Sequence, residues 1–175
     1  MLIISIDPGG VTGLAIHKVL PEKRTSTPEL KTFDYDSDLN DGSIYVDALL
    51  TEQHHLELYD MLNNLKPDQI LCEDFIYQVR YVAGSNQAVA LEIISREYIG
   101  VCKLYSQVTA TPLKMRRPAE GFDFWDDKKL KSLGLYTSGG KHTNGAPDKN
   151  AAVRHLLDDV VRASKRFDYL QKLKS

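Results

Sequence analysis

Three carboxylates stand where apolar runs stop. Asp7 ends Leu2-Ile3-Ile4-Ser5-Ile6 and leads into the turn Pro8-Gly9-Gly10. Glu73 and Asp74 end the run Gln69-Ile70-Leu71-Cys72, and Asp148 heads a segment in which Ala151, Ala152, His155 and Leu156 recur at helical spacing. A buried strand seldom carries an acid at its inner end unless the charge is paired or holds a metal. Acids drawn together repel and raise one another's pKa unless divalent cations bind between them, so the chemistry on offer is that of a carboxylate metal centre. Each acid also has a plainer role. Asp7 can cap a hairpin, and Asp148 can be the N-cap of its helix. Glu73 and Asp74 point to opposite faces of a strand, so only one of them can share a pocket with Asp7; side-chain alternation alone does not choose between them.

These acids need elements to hold them. Leu2 to Ile6 offers apolar side chains to both faces, as a central strand covered on both sides does. Pro8, Gly9 and Gly10 make the turn, and Val11 to Val19 returns as an antiparallel partner. Residues 20–28 form an exposed loop, Leu30 to Tyr35 a third strand, and 36–42 a polar turn, which gives a three-stranded meander. The spacing of Val46, Leu49, Leu50, Leu56, Leu58, Tyr59, Leu62 and Leu65 predicts a helix over about 45–65. His54 and His55 in its middle point about 100° apart and suit partial exposure better than a shared metal. A fourth strand covers 69–76, and the polar connection 78–85 is expected to be mobile. A helix over 86–99 starts at Ser85 or Asn86 and stops at Gly100, and a fifth strand covers 101–111. Next come a basic cluster (Lys114, Arg116, Arg117), the acidic-aromatic stretch Glu120-Gly121-Phe122-Asp123-Phe124-Trp125-Asp126-Asp127, and a short lysine-rich helix ending at Gly134. The loop 137–147 and a last helix over 148–168 complete the order, with a basic tail beyond. In this order strands one and four are neighbours. Asp7 and Glu73 then sit side by side, with the last helix laid across their ends.

Composition bounds the function without naming it. The 175 residues are 42% hydrophobic and 26% charged, as in an ordinary globular protein, and suit one domain. No apolar run approaches the roughly 20 residues of a membrane span, and the N-terminus lacks a signal-peptide pattern, so a cytoplasmic location is expected. Cys72 and Cys102 show no metal-binding spacing and are expected to be buried thiols. The net charge of -2 excludes a uniformly basic coat but leaves room for a local basic groove.

The order of elements and the segments IDPGGVTGLAI, ILCEDF and LGLYTSGGKHTNGAPDKNAAVRHLL resemble the RuvC-like Holliday junction resolvases of the ribonuclease H superfamily, particularly the phage branch. The resemblance covers most of the chain. It implies an α/β, ribonuclease H-like fold with a five-stranded mixed sheet flanked by helices, in one nuclease domain with a flexible basic tail from about residue 168. One position departs from the pattern. The family's last helix usually carries Asp-x-x-Asp-Ala or His-x-x-Asp-Ala, followed in phage members by Arg-His. With Arg154-His155 in that register, Asp148 takes the first position and Ala151 stands where the second acid is expected. Either the protein works with Asp7, Glu73 and Asp148, or an Asp at 151 has been replaced and cleavage suppressed.

The resemblance further implies structure-specific cleavage of four-way DNA junctions. Two Mg²⁺ or Mn²⁺ ions roughly 3.5 to 4 Å apart would be held by Asp7, Glu73 and Asp148. It implies a homodimer packed through the helix 86–99, matching a two-fold substrate. Lys114, Arg116, Arg117, Lys128, Lys129 and Lys131, with Arg80, are candidates for phosphate contacts, and Tyr77 and Tyr81 for stacking on unpaired bases. A solvated face for the basic residues and core packing for the tyrosines are the plainer alternatives. His142 is a candidate proton donor or an idle loop histidine. The alternatives in function are a broader nuclease for flaps and forks and a junction-binding protein that does not cut; the expected cytoplasmic location is that of the host cell if the protein is phage-encoded. An actin-like ATPase also opens with a strand and Asp-x-Gly, but the chain is too short for its two lobes.

Overall fold

The computed structural model describes residues 1–9, 11–18, 30–32, 44–50, 55–74, 80–81, 88–89, 94–140 and 145–164. Strand β1 (Leu2–Asp7) pairs antiparallel with β2 (Val11–Lys18), in a register that sets Asp7 opposite Gly13. β2 pairs on its other side with β4 (Ile44–Leu50), and β3 (Leu30–Thr32) lies parallel to β4 at the sheet edge. β1 also pairs in parallel with β5 (Gln69–Glu73), which pairs in parallel with β8 (Leu113–Arg116). The result is a mixed six-stranded sheet, β3-β4-β2-β1-β5-β8. A separate two-stranded ribbon joins β6 (Arg80–Tyr81) to β7 (Ala88–Val89).

Four helices accompany these strands among the described residues: α1 (His55–Leu65), α2 (Ile94–Thr109), α3 (Asp127–Ser132) and α4 (Ala146–Ser164). Alternation along β1 and β5 divides the interior into two layers. Ile4, Ile6, Ile70 and Cys72 face α1 and α2 and pack with Leu58, Leu62, Tyr98, Cys102 and Tyr105. Ile3, Ala15 and Leu71 face the other way, onto Trp125, Leu130, Leu135 and the α4 residues Ala152, Val153, Leu156 and Leu157.

The expected neighbourhood of strands one and four is present, while four element assignments change. The sheet has six strands rather than five. Ile44–Leu50 is a strand and only His55–Leu65 is helical, so the helix expected over 45–65 is half its length. The β-branched and aromatic start Ile44-Tyr45-Val46 suits pairing along β2, and that long-range pairing outweighs the helical spacing. The third member of the antiparallel set is therefore β4, with β3 outside it. The helix expected over 86–99 begins at Ile94 and runs to Thr109 through Gly100, and the strand expected over 101–111 is the second half of that helix. Tyr98, Cys102 and Tyr105, at helical spacing, are its buried stripe, and one interior glycine costs only about 1 kcal/mol. The strand that completes this side starts at Leu113, after Ala110 turns the chain at φ 58°.

Helix α4 is buried on all sides from Asn150 to Asp159. A helix so enclosed is normally apolar throughout, yet this one carries five polar or charged residues, each with a partner. Asn150 brackets Thr137, accepting from its N–H and donating to its carbonyl, both at 2.9 Å. Arg154 donates to the Trp125 carbonyl at 2.7 Å and pairs with Asp127. His155 meets Glu73, Asp158 meets Arg116, and Asp159 meets Lys114 and Gln69. These contacts fix α4 antiparallel to β5, with His155 over the end of the strand and Asp159 over its start.

Candidate active site

β1 and β5 run parallel with Ile6 beside Cys72, so the next step of the register puts Asp7 beside Glu73, on strands roughly 5 Å apart. Ile3 and Leu71 define the α4 face, and Asp7 and Glu73 follow them at even spacing. The choice that sequence alternation left open is thereby made: Glu73 faces α4, and Asp74 is exposed. Cys72 points into the opposite layer and records both acids. Its hydrogen bond with Cys102 and its burial push the thiol well above its ordinary pKa, and the charges of Cys102, Asp7 and Glu73 add to the rise.

Asp148 approaches from α4. The helix begins at Ala146, two residues before the expected start, so Asp148 lies in its first turn rather than at its N-cap. A carboxylate there is favoured by the helix dipole. The approach depends on two glycines. A Cβ at Gly13 would lie 2.1 Å from the Asp148 carbonyl oxygen, and one at Gly9 would lie 3.4 Å from Asp148 Oδ1. Gly13, the register partner of Asp7, is thus where the last helix crosses the first hairpin in backbone contact. Asp7 and Asp148 are both buried.

Along α4, Asp148, Ala151 and His155 follow at spacings of three and four and share a face. Asp148 abuts the Pro8-Gly9 turn, and His155 Nε2 is 2.6 Å from Glu73 Oε2. Ala151 lies on the same face between them and is buried, and it brings a methyl group where a third acid would stand. The His155 ring is fully buried, and its Nδ1 has no hydrogen-bond partner among the described residues. Sequence reasoning used His155 only as a register marker; a histidine seven residues past an acid on one helix face was the available signal.

Hard oxygen donors of this type suit Mg²⁺ or Mn²⁺. Yet no group of three or more His, Cys, Asp and Glu side chains stands ready to hold a metal among the described residues. The three acids converge on one end of the sheet, but Glu73 is engaged by His155 and position 151 brings no oxygen.

The candidate DNA contacts divide. Arg116 is buried, with its guanidinium paired to Asp158, 3.6 Å from Asp159 and 3.1 Å from Glu120. It is a structural ion-pair centre and not the exposed phosphate contact expected, because α4 brings two adjacent acids over the end of β8. Lys114 joins the same cluster through Asp159. Arg117 and Lys128 are exposed. Lys129 Nζ donates to the Phe124 carbonyl and lies 3.9 Å from the centre of its ring, and Lys131 lies 4.5 Å from that of Tyr136. Arg80 and Tyr81 lie on β6, whereas Tyr77, His142 and His54 are outside the described residues.

A mixed sheet with two long strands in antiparallel pairing, β5 added in parallel at the first, and helices on both faces is the ribonuclease H-like fold. Within that class the chain is RuvC-like in fold: it is similar to the structure of Thermus thermophilus RuvC in complex with Holliday junction substrate, with a TM-score of 0.56 and 13% identity over 94% of this chain and 96% of that one. A second Thermus thermophilus RuvC structure gives a TM-score of 0.48 and 11% identity over 93% and 97%. No protein-family model and no curated protein matches the sequence.

Proposed function

We propose that this chain is a structure-specific, divalent-metal-dependent endonuclease acting on four-way DNA junctions. The observation that carries the reading is the strand register that sets Asp7 beside Glu73, with Asp148 packed against Gly9 and Gly13 of the first hairpin, in a fold like that of a protein solved with a Holliday junction. Asp7, Glu73 and Asp148 would hold Mg²⁺ or Mn²⁺, two per site. Bound there, the ions supply an activated water and stabilise a leaving oxygen. His155 donates Nε2–H to Glu73 Oε2 and so fixes the direction of that carboxylate, while the backbone contact at Gly13 fixes Asp148 against β2, at the position that faces Asp7 across the hairpin.

The partner in this reading is branched DNA, and the working unit is a homodimer. The helix expected over 86–99 is replaced in this role by α2, whose Leu104 and Val108 lie one turn apart and are 53% and 65% exposed. Arg117 and Lys128 are exposed candidates for phosphate contacts, Arg80, Lys129 and Lys131 are further candidates, and Tyr77 and Tyr81 are proposed for stacking. The phage branch remains part of this proposal through the Arg154-His155 register.

Ala151 favours a second reading, a protein that binds junctions without cutting them. One experiment separates the cases: the chain and its Ala151→Asp variant are incubated with a labelled four-way junction, a flap and linear duplex, with Mg²⁺, Mn²⁺ or chelator. Paired symmetric nicks at the junction, raised by orders of magnitude in the variant, support the resolvase. Cutting of flaps and forks as well supports a broader nuclease, tight binding with no cutting by either protein supports the binding module, and no binding of branched DNA sinks all three.

A further inference from the structure

We propose that Phe122 and Phe124 form a stacking platform for unpaired nucleobases at the rim of the acidic site. The proposal rests on the reading of the chain as a DNA-binding protein, and it deepens that reading by naming what part of the DNA this surface takes.

Both rings are presented to solvent, 39% and 41% exposed, from a turn that is itself pinned. Gly121, at φ 88°, brings the turn so close to α4 that a Cβ there would lie 3.1 Å from the Arg154 carbonyl oxygen. Trp125 is buried on the other side, accepts from Arg154 Nε at 2.7 Å, and donates its backbone N–H to Gly121 at 2.7 Å. Two phenylalanines are thus held outward by a closed turn rather than left to collapse. A single exposed apolar side chain needs no explanation. Two on a fixed turn beside a carboxylate site do.

Cations sit against both rings. The Arg154 guanidinium carbon is 4.5 Å from the Phe122 ring centre, and Lys129 Nζ is 3.9 Å from that of Phe124. Arg154 is buried and paired with Asp127, so it braces the Phe122 ring from beneath, while the part-exposed Lys129 leaves positive charge beside Phe124, as aromatic and basic side chains stand together in single-strand grooves. Acidic residues in the turn argue against a phosphate as its ligand, but three of them are already engaged. Glu120 pairs with Arg116, Asp126 caps α3 by accepting from the Lys129 N–H, and Asp127 pairs with Arg154. A flat, uncharged, aromatic group fits this surface better than an anion. The location ties the platform to the site: the Phe122 ring centre is 6.2 Å from that of His155, which holds Glu73. A base stacked on Phe122 would lie next to the acids that its backbone must reach.

The test uses the full chain and its Phe122→Leu, Phe124→Leu and double variants, which retain apolar bulk, each checked for unchanged thermal unfolding; should the double variant not fold, the single variants carry the test. The probes are a four-way junction and a single-stranded oligonucleotide, each carrying 2-aminopurine at an unpaired or crossover position. The wild type is expected to quench the probe on binding, and each ring removed is expected to weaken binding about 5- to 150-fold and abolish the quench, with the salt dependence kept. Equal quenching and affinity in the wild type and the folded variants would overturn the proposal, as would a change in self-association as the only effect. If the wild type ignores the junction but quenches the single strand in a phenylalanine-dependent way, the platform stands and the junction reading fails.

Discussion

His155 Nε2 lies 2.6 Å from Glu73 Oε2, a charge-assisted contact between α4 and the strand beside β1. Its short length and the full burial of the ring make it a structural member as well as a part of the site. Replacing His155 with Ala removes a buried ring and strands a carboxylate. A loss of about 2–4 kcal/mol is expected in urea unfolding. Glu73→Gln keeps an oxygen to accept the same N–H and should cost under about 1 kcal/mol; on the nuclease reading it also abolishes cleavage. Equal stability losses in the two variants would contradict the assigned direction of the hydrogen bond.

Arg116 and Arg117 are adjacent in sequence and predicted to behave oppositely. Arg116→Ala leaves Asp158 and Asp159 buried beside each other without the guanidinium they share, and about 3–5 kcal/mol of stability should be lost. Arg117→Ala should leave unfolding unchanged within about 0.5 kcal/mol. On the nuclease reading, it reduces the slope of log affinity against log salt by about one. Thermal unfolding and salt titrations of junction binding read the two outcomes separately.

Gly13→Ala puts a methyl group into the Asp148 backbone. With its nearest approach at 2.1 Å, the helix start must move, and a cost of roughly 3 kcal/mol is expected, together with loss of any activity that needs Asp148 in place. Gly9→Ala meets its nearest atom at 3.0 Å and should cost less. Ranking the two by chemical denaturation checks the crossing point directly.

The Cys72 thiol gives a pH signature. Its folded pKa is raised, first by the hydrogen bond with Cys102 and then by burial and nearby charge, so the native chain keeps a proton that the unfolded chain releases above about pH 8.5. The stability it contributes is full below that pH and declines as pH climbs toward the raised folded value, by up to about 1.4 kcal/mol per pH unit. Cys72→Ala should show a shallower alkaline loss than the parent. An identical slope in urea midpoints between pH 8 and pH 10 would show that the thiol does not titrate in this way.

Ala151→Asp should also reveal itself without DNA. A third acid near Asp148 and Glu73 adds like charge in a buried space, so in chelator the variant is expected to melt below the parent, and Mn²⁺ should raise its melting temperature more than the parent's. A variant whose stability is indifferent to Mn²⁺ would count against a metal centre at this place.

The parts legible in the sequence were those set by local pattern. The run Leu2 to Ile6, the Pro8-Gly9-Gly10 turn and the apolar stretch before Glu73 announced β1, β2 and β5, and their order announced that Asp7 and Glu73 would be neighbours. Ile44–Leu50 was misread because its apolar spacing also fits a helix, and only pairing with β2 decides it. The segment 94–109 was divided wrongly because Gly100 looked like a stop, whereas Tyr98, Cys102 and Tyr105 carry the helix past it.

The partners of α4 were not legible at all, since each joins residues far apart in the chain. Arg116 looked like a surface base until Asp158 and Asp159 were placed over it, and nothing local to Gly13 signals the backbone that crosses it.

The antiparallel run of α4 along β5 makes the helix a beam supported at both ends. Its far support, Asp158 and Asp159 on Arg116 and Lys114, stands ten residues from Asp148, or about 15 Å along the axis. Any ligand, modification or partner that loosens that distant support would tilt the end bearing Asp148 against the hairpin, so the fine alignment of the acids is set from a place that no substrate needs to touch.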